Sequence, residues 1–93
     1  MARTKYSYKY NGRIVRNSNR LYKYGLVNHN DEVIACSGTE KGALKEKISW
    51  QNHISRELAY YEKKNEVNYI DDAKHDLENI AKWHVVELEV IEN

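Results

Sequence analysis

The sequence contains no proline and no phenylalanine, four glycines and one cysteine. With Cys36 alone, no disulfide can form within the chain, as is usual for proteins of a reducing compartment. No run of about 18 apolar residues occurs, and the first residues lack the apolar segment of a signal peptide. We therefore expect a cytoplasmic protein with no membrane partner.

The composition is that of a folded globular protein. Hydrophobic residues make up 41% of the chain and charged residues 31%, and apolar residues recur at regular spacing through most of it. Since phenylalanine is absent, eight Tyr and two Trp supply all the aromatic side chains. The length of 93 residues suits one hydrophobic core, so we expect a single domain over residues 1–93.

Charge is unevenly distributed along the chain. The stretch RTKYSYKYNGRIVRNSNRLYKYG, residues 3–25, holds seven Lys or Arg and five Tyr but no acid. Residues 31–93 hold eight basic and fourteen acidic residues. Such a split indicates an anionic partner. It is equally compatible with basic strands that neutralise the acidic elements of the same fold.

Alternation of polar and apolar residues predicts four strands in the first 37 residues. Tyr6, Tyr8 and Tyr10 alternate with polar residues, which is the period of a strand. Asn11-Gly12 follows, and this pair predicts a type I′ hairpin turn because both residues accept positive φ. The predicted strands are residues 5–10, 13–16, 20–28 and 32–37.

The pattern becomes helical after Ser37. Ser37 and Glu40 fit a capping box, which predicts a helix up to residue 64. Asn68 opens a second helix, and residues 83–91 read as a last strand. The order β-β-β-β-α-α-β predicts an α+β fold, in which an antiparallel meander is followed by two helices packed on one sheet face and by a C-terminal strand.

A sheet with helices on one side leaves its other face in solvent. If Tyr6, Tyr8, Tyr22 and Tyr24 lie on that face, they form an aromatic platform among Lys and Arg side chains. Such a platform can stack on nucleic-acid bases or anchor a protein interface. The alternative is that these rings face the helices and take the place of phenylalanine in the core.

The loop Arg16-Asn17-Ser18-Asn19-Arg20 is a second candidate. Its two guanidinium groups could bind a phosphate or a carboxylate, whereas a solvated turn is the alternative. Combined with the neighbouring strands, the loop defines a candidate partner-binding set. The set comprises Tyr6, Tyr8, Arg13, Arg16, Asn17, Arg20, Tyr22 and Lys23.

The sequence offers no catalytic or metal-binding motif. The four histidines are scattered, and the pairs His53/Glu57 and Asp71/His75 would each supply two ligands where metal proteins use three or four. No nucleophile elbow or phosphate-binding glycine loop occurs, and Cys36 has no basic neighbour in sequence to lower its pKa. We predict a protein without enzymatic activity, metal or cofactor. A small nuclease using acid–base chemistry is an alternative.

Two resemblances bear on the partner. Residues 13–47, about a third of the chain, lead three strands into a helix through CSGTEKGALKEK. This stretch resembles the DNA-binding domains of phage-type integrases, which place a three-stranded sheet in the major groove. The whole chain, short, free of proline and carrying RNSNRLYKYGLV, resembles small early proteins of tailed bacteriophages. That resemblance implies stoichiometric binding to a host or defence protein.

We therefore expect a non-enzymatic phage-type inhibitor that binds a host or defence factor through its basic, Tyr- and Arg-rich strands. Direct nucleic-acid binding through the same sheet face is the first alternative, and a small nuclease is the second. A third is that the acidic helices imitate nucleic acid and enter a basic groove of the partner. The oligomeric state is left open.

Overall fold

The computed structural model describes residues 4–93 and has an α+β fold, which confirms the predicted class. Four strands are followed by two helices and two further strands. The elements are β1 (Tyr6–Tyr10), β2 (Arg13–Ser18), β3 (Tyr24–Val27), β4 (Val33–Ser37), α1 (Glu40–Lys64), α2 (Val67–Ala81), β5 (His84–Glu87) and β6 (Glu89–Glu92).

The strands form two three-stranded antiparallel sheets, so the prediction of one continuous meander is wrong in this respect. The strand order is β2-β1-β6 in the first sheet and β4-β3-β5 in the second. Residues 20–23, predicted as the beginning of the third strand, connect the two hairpins instead. They do so because the Tyr8 hydroxyl donates to the carbonyl of Arg20 and accepts from the N–H of Tyr22.

The predicted last strand is likewise two strands. β5 pairs with β3 in the second sheet, whereas β6 pairs with β1 in the first. Leu88, between them, is 5% exposed, and its N–H donates to the carbonyl of Lys23 over 2.7 Å. The two sheets are therefore joined covalently at a residue that is itself part of the core.

The turn of the first hairpin has the geometry that its sequence predicts. Asn11 and Gly12 have φ values of 53° and 77°, as a type I′ turn requires. The hydroxyl of Tyr10 and the amide of Asn11 both donate to the carboxylate of Asp31, over 2.7 and 3.0 Å. These bonds tie the first hairpin turn to the loop between β3 and β4.

The N-cap of α1 is Thr39, so the predicted capping box with Ser37 and Glu40 is wrong. Thr39 Oγ1 accepts from the N–H of Gly42 at 3.0 Å. Ser37 is still paired with Tyr24 in the second sheet, and its hydroxyl accepts from the N–H of Thr39 at 3.3 Å. The far end of α1 agrees with the prediction, because the helix stops at Lys64.

The helices extend the molecule well beyond the sheets. α1 packs on the second sheet at its beginning and along α2 for the rest, and α2 packs chiefly on α1. The principal extents are 53 × 26 × 21 Å, and the radius of gyration is 16.4 Å, against about 12 Å for a compact chain of this length. A cluster around Ile54, Ala73 and Ile80 holds the helical hairpin together.

Candidate partner-binding surface

β2 is an edge strand with almost all of its side chains in solvent. It pairs with β1 on one side only. Five of its six residues are exposed, and the apolar side chains of Ile14 and Val15 are 58% and 38% exposed. An exposed edge strand is a site where proteins commonly meet other chains.

A β-bulge shapes this edge. Tyr8 lies opposite Arg16, whereas Lys9 lies opposite Ile14, so Val15 is an extra residue in β2. A bulge bends a strand and redirects its side chains, and it also disfavours simple strand-to-strand addition. The side chains of β2, more than its backbone, are therefore the groups available to a partner.

Arg13, Arg16 and Arg20 form no ion pair with an acid of residues 4–93. Among residues 4–93, the only contact within 4.0 Å between a basic nitrogen and a carboxylate oxygen joins His53 and Glu57, at 3.1 Å. Lys9 does lie opposite Glu89 in the β1–β6 register, so the acidic last strand has the basic neighbour that self-neutralisation would need. Even so, Lys9 and Glu89 do not form an ion pair within 4.0 Å. No arginine of β2 lies within 4.0 Å of a carboxylate of residues 4–93 either.

Arg16 is held by an aromatic ring. Its Cζ lies 5.1 Å from the centroid of the Tyr22 ring, a cation–π distance. The guanidinium also lies beside the thiol of Cys36. Burial raises the pKa of Cys36, and Arg16 opposes this only in part, so the thiol stays protonated at neutral pH and is a poor nucleophile.

The tyrosines do not form an open platform. Tyr8 is completely buried, and its hydroxyl is occupied by Arg20 and Tyr22. Tyr6 and Tyr22 are half-buried, with ring centroids 6.5 and 5.9 Å from that of Tyr8. Tyr24 is half-buried as well. The ring of Tyr8 is therefore core, and it is not accessible to a partner.

Of the other residues in the predicted partner-binding set, Asn17 is engaged within the protein, whereas Arg20 and Lys23 are exposed to solvent. The side-chain oxygen of Asn17 accepts from the Ser7 hydroxyl at 2.7 Å, so its carboxamide is engaged within the first sheet. Arg20 and Lys23 have exposed side chains, while their backbone groups bond to Tyr8 and Leu88. We call Arg13, Ile14, Val15, Arg16 and Arg20 the arginine edge.

Two open pockets flank β2, and the sequence analysis identified neither. One, of about 480 Å³, lies between the two hairpin turns and is lined by Arg13, Asp31 and Glu32 among others. The second, also of about 480 Å³, brings Arg16 together with Trp50 and Trp83. No sequence signal could have linked these three residues, because they come from β2, α1 and the residue preceding β5.

The part of the chain that the structure describes contains neither a cluster of metal-ligating side chains nor a helix that could span a membrane. Within residues 4–93, no three His, Cys, Asp or Glu side chains are grouped so as to hold a metal ion. His53 and Glu57 form the surface pair that their spacing predicts. Neither helix has the length and hydropathy needed to cross a bilayer.

The chain matches no family model, no curated protein and no solved structure at a significant level.

Proposed function

We propose that this chain is a non-enzymatic binding protein that attaches to an acidic protein surface through the arginine edge. One observation carries the proposal: Arg13, Arg16 and Arg20 form no ion pair within residues 4–93, and Arg13 and Arg16 border the exposed residues Ile14 and Val15 along β2. Unpaired guanidinium groups beside apolar side chains are the composition of a protein interface, where arginine is enriched and anchors binding.

A protein partner fits this surface better than a nucleic acid does. Single-stranded nucleic acid is bound by exposed aromatic faces along a basic groove. Here Tyr8 is buried and Tyr6, Tyr22 and Tyr24 are half-buried, so few ring faces are free to stack. Ile14 and Val15, by contrast, offer apolar area that a phosphate backbone would not cover.

The proposed role is inhibition of a host or defence factor in the bacterial cytoplasm by a phage-type protein. This part of the proposal comes from the resemblance of the chain to small early proteins of tailed bacteriophages. A stoichiometric inhibitor needs a surface and no active site, which fits a chain that presents unpaired cations but carries no catalytic motif. The partner's acidic surface would lie at or near its own functional site.

Charge reversal at two exposed arginines tests the proposal. The variant Arg13→Glu/Arg20→Glu and the original protein are immobilised and used to capture proteins from a bacterial lysate, with and without nuclease. A protein captured by the original chain, independently of nuclease, should be lost with the variant. The matched control is Lys63→Glu/Lys74→Glu, which makes the same charge change at exposed helix positions and should retain capture.

Two results would contradict the proposal. Capture that survives reversal of Arg13 and Arg20 removes the arginine edge as the contact. Capture that disappears with nuclease favours direct nucleic-acid binding, which a filter-binding titration then measures; each neutralised phosphate adds about 0.7–0.9 to the slope of log affinity against log salt. Cleavage of RNA or DNA by the purified protein would identify the nuclease alternative.

A further inference from the structure

The pocket beside Arg16, here called the tryptophan pocket, has the dimensions and lining of a ligand site. Its volume of about 480 Å³ falls in the range of about 300–1,000 Å³ that small-molecule sites occupy. Leu26, Ile34, Trp50 and Trp83 supply apolar lining. Leu26 is itself completely buried, so the pocket lies against the core of the second sheet.

The indole rings of Trp50 and Trp83 are held by contacts with each other and with two histidines. Trp50 and Trp83 meet edge to face, with ring centroids 6.4 Å apart and an interplanar angle of 71°. The indole N–H of Trp83 donates to Nδ1 of His29 at 3.3 Å, and Trp50 also meets His53 edge to face at 6.1 Å. Trp50 nevertheless remains 46% exposed, which leaves indole surface for a ligand to cover.

The pocket also has a positioned positive charge. Arg16 is held over the ring of Tyr22, and no carboxylate of residues 4–93 lies within 4.0 Å of its guanidinium. Glu46 of α1 lines the same pocket, yet it too is beyond ion-pair distance from Arg16. A guanidinium group can form two parallel hydrogen bonds with a carboxylate, so Arg16 gives this pocket a side chain that favours an anionic ligand.

We infer that the tryptophan pocket binds an apolar carboxylate, whose acid group pairs with Arg16 while its aryl or branched alkyl group packs against Trp50 and Trp83. The acid is either a free small molecule or the C-terminal residue of a peptide. The tryptophan pocket shares Arg16 with the arginine edge, but Arg13 and Arg20, whose reversal tests the partner-binding role, do not line it, so the two proposals can fail independently.

The two tryptophans are the only ones in the chain, so their indole N–H signals in a ¹⁵N–¹H spectrum report directly on this pocket. The first probe is 3-phenylpropanoate, with 3-phenylpropanamide as its uncharged counterpart. The second is a pentapeptide ending in phenylalanine with a free carboxylate, with its C-terminal amide as counterpart. Both indole signals should shift with an acid, and the amides should bind at least several-fold more weakly.

Three variants separate the parts of the site. Arg16→Gln should weaken binding of the acid by roughly tenfold to a hundredfold, since it removes a charged hydrogen-bond partner. Glu46→Gln should strengthen it several-fold by removing a repelling charge. Arg56→Gln, on an exposed part of α1 away from this pocket, is the matched control and should leave affinity unchanged. The dispersion of the full spectrum shows that each variant is folded.

Each outcome decides the matter. Binding of the free acid, of the peptide acid or of both supports the site and identifies the source of the ligand. The inference is overturned if neither acid shifts the indole signals at ~10 mM, where even a very weak site would fill. It is overturned equally if acid and amide bind alike, or if Arg16→Gln binds as the original protein does.

Discussion

Leu88 packs on the bare backbone of Gly25, where an added β-carbon would lie 3.1 Å from Leu88 Cδ2. The same β-carbon would lie 3.2 Å from Cγ1 of Val33. Gly25 is buried in β3, the middle strand of the second sheet, and Leu88 joins β5 to β6. A residue without a side chain is therefore what allows the link between the sheets to lie against β3.

The variant Gly25→Ala should be destabilised. Both neighbouring side chains would have to move by a few tenths of an ångström in a packed environment, which we expect to lower the free energy of unfolding by about 1–2 kcal/mol. Urea unfolding followed by circular dichroism measures the change. Gly38→Ala is the control, because its β-carbon would meet only the Leu21 carbonyl at 3.4 Å. In a Leu88→Ala background the loss should shrink; an undiminished loss would contradict this explanation.

Gly42→Ala should also lower stability, although alanine is the better helix former by about 1 kcal/mol. A β-carbon at Gly42 would collide with Ser37 Oγ and would lie 3.1 Å from Thr39 Oγ1, the atom that caps α1. The double variant Ser37→Ala/Gly42→Ala removes the collision and should recover part of the loss. The free energies of unfolding of the original protein and of these two variants give the comparison, and a stabilised Gly42→Ala protein would refute this explanation.

Tyr8→Phe should lower the free energy of unfolding by about 1–3 kcal/mol. The lost hydroxyl leaves the carbonyl of Arg20 and the N–H of Tyr22 facing a completely buried ring that offers them no hydrogen bond. Tyr10→Phe is the matched control, because its hydroxyl bonds to the exposed Asp31 and water can replace it; its change should stay within about 0.5 kcal/mol. Equal losses in both variants would show that the buried hydroxyl has no special role.

Stability should fall at alkaline pH, partly through Tyr10. The hydrogen bond with Asp31 raises the pKa of Tyr10 above its usual value, so the folded protein holds the phenolic proton more tightly than the unfolded chain. This stabilisation is complete below about pH 10, the pKa of an unfolded tyrosine, and is lost as the pH rises through the folded value. Burial raises the pKa of Cys36, which acts in the same direction.

Asp31→Asn tests the contribution of Tyr10. Asp31 has a φ of 62°, which asparagine accepts, so the backbone of the loop should be preserved. Urea unfolding at about pH 8 and pH 10.5 should show a smaller alkaline loss in this variant and in Tyr10→Phe than in the original protein. An identical loss in all three would exclude Tyr10 as a contributor.

The sequence predicted those parts of the fold that depend on neighbours along the chain. The Asn11-Gly12 turn and the end of α1 at Lys64 are of this kind, because turn chemistry and helical periodicity are local. The division into two sheets is not local. Alternation of side chains predicts that residues 83–91 are extended, but one long strand and two short strands give the same alternation. No glycine or proline marks Leu88, where the chain passes from the second sheet to the first.

The candidate sites show the same distinction. The cationic character of β2 can be predicted from Arg13 and Arg16. Whether acids of the same chain pair with these arginines depends on where the strands and helices lie, and only the structure gives that. The burial of Tyr8 could not be predicted, because the tyrosines of β1 alternate with polar residues in the same way whether their rings face the core or the solvent. The tryptophan pocket depends on how α1 lies over the second sheet and on an arginine that arrives from the first.

The pairing of β6 with β1 has a consequence for how the protein is made. In that register Tyr6 lies opposite Glu92, so each sheet receives its third strand only after residues 84–92 have left the ribosome. Until then β1 and β3 each have one edge without a hydrogen-bonded neighbour. Contacts between distant parts of a chain slow folding, because a long loop must close before they form. Both sheets are therefore completed only when β5 and β6 have joined them, and until then the two hairpins are open to chaperones.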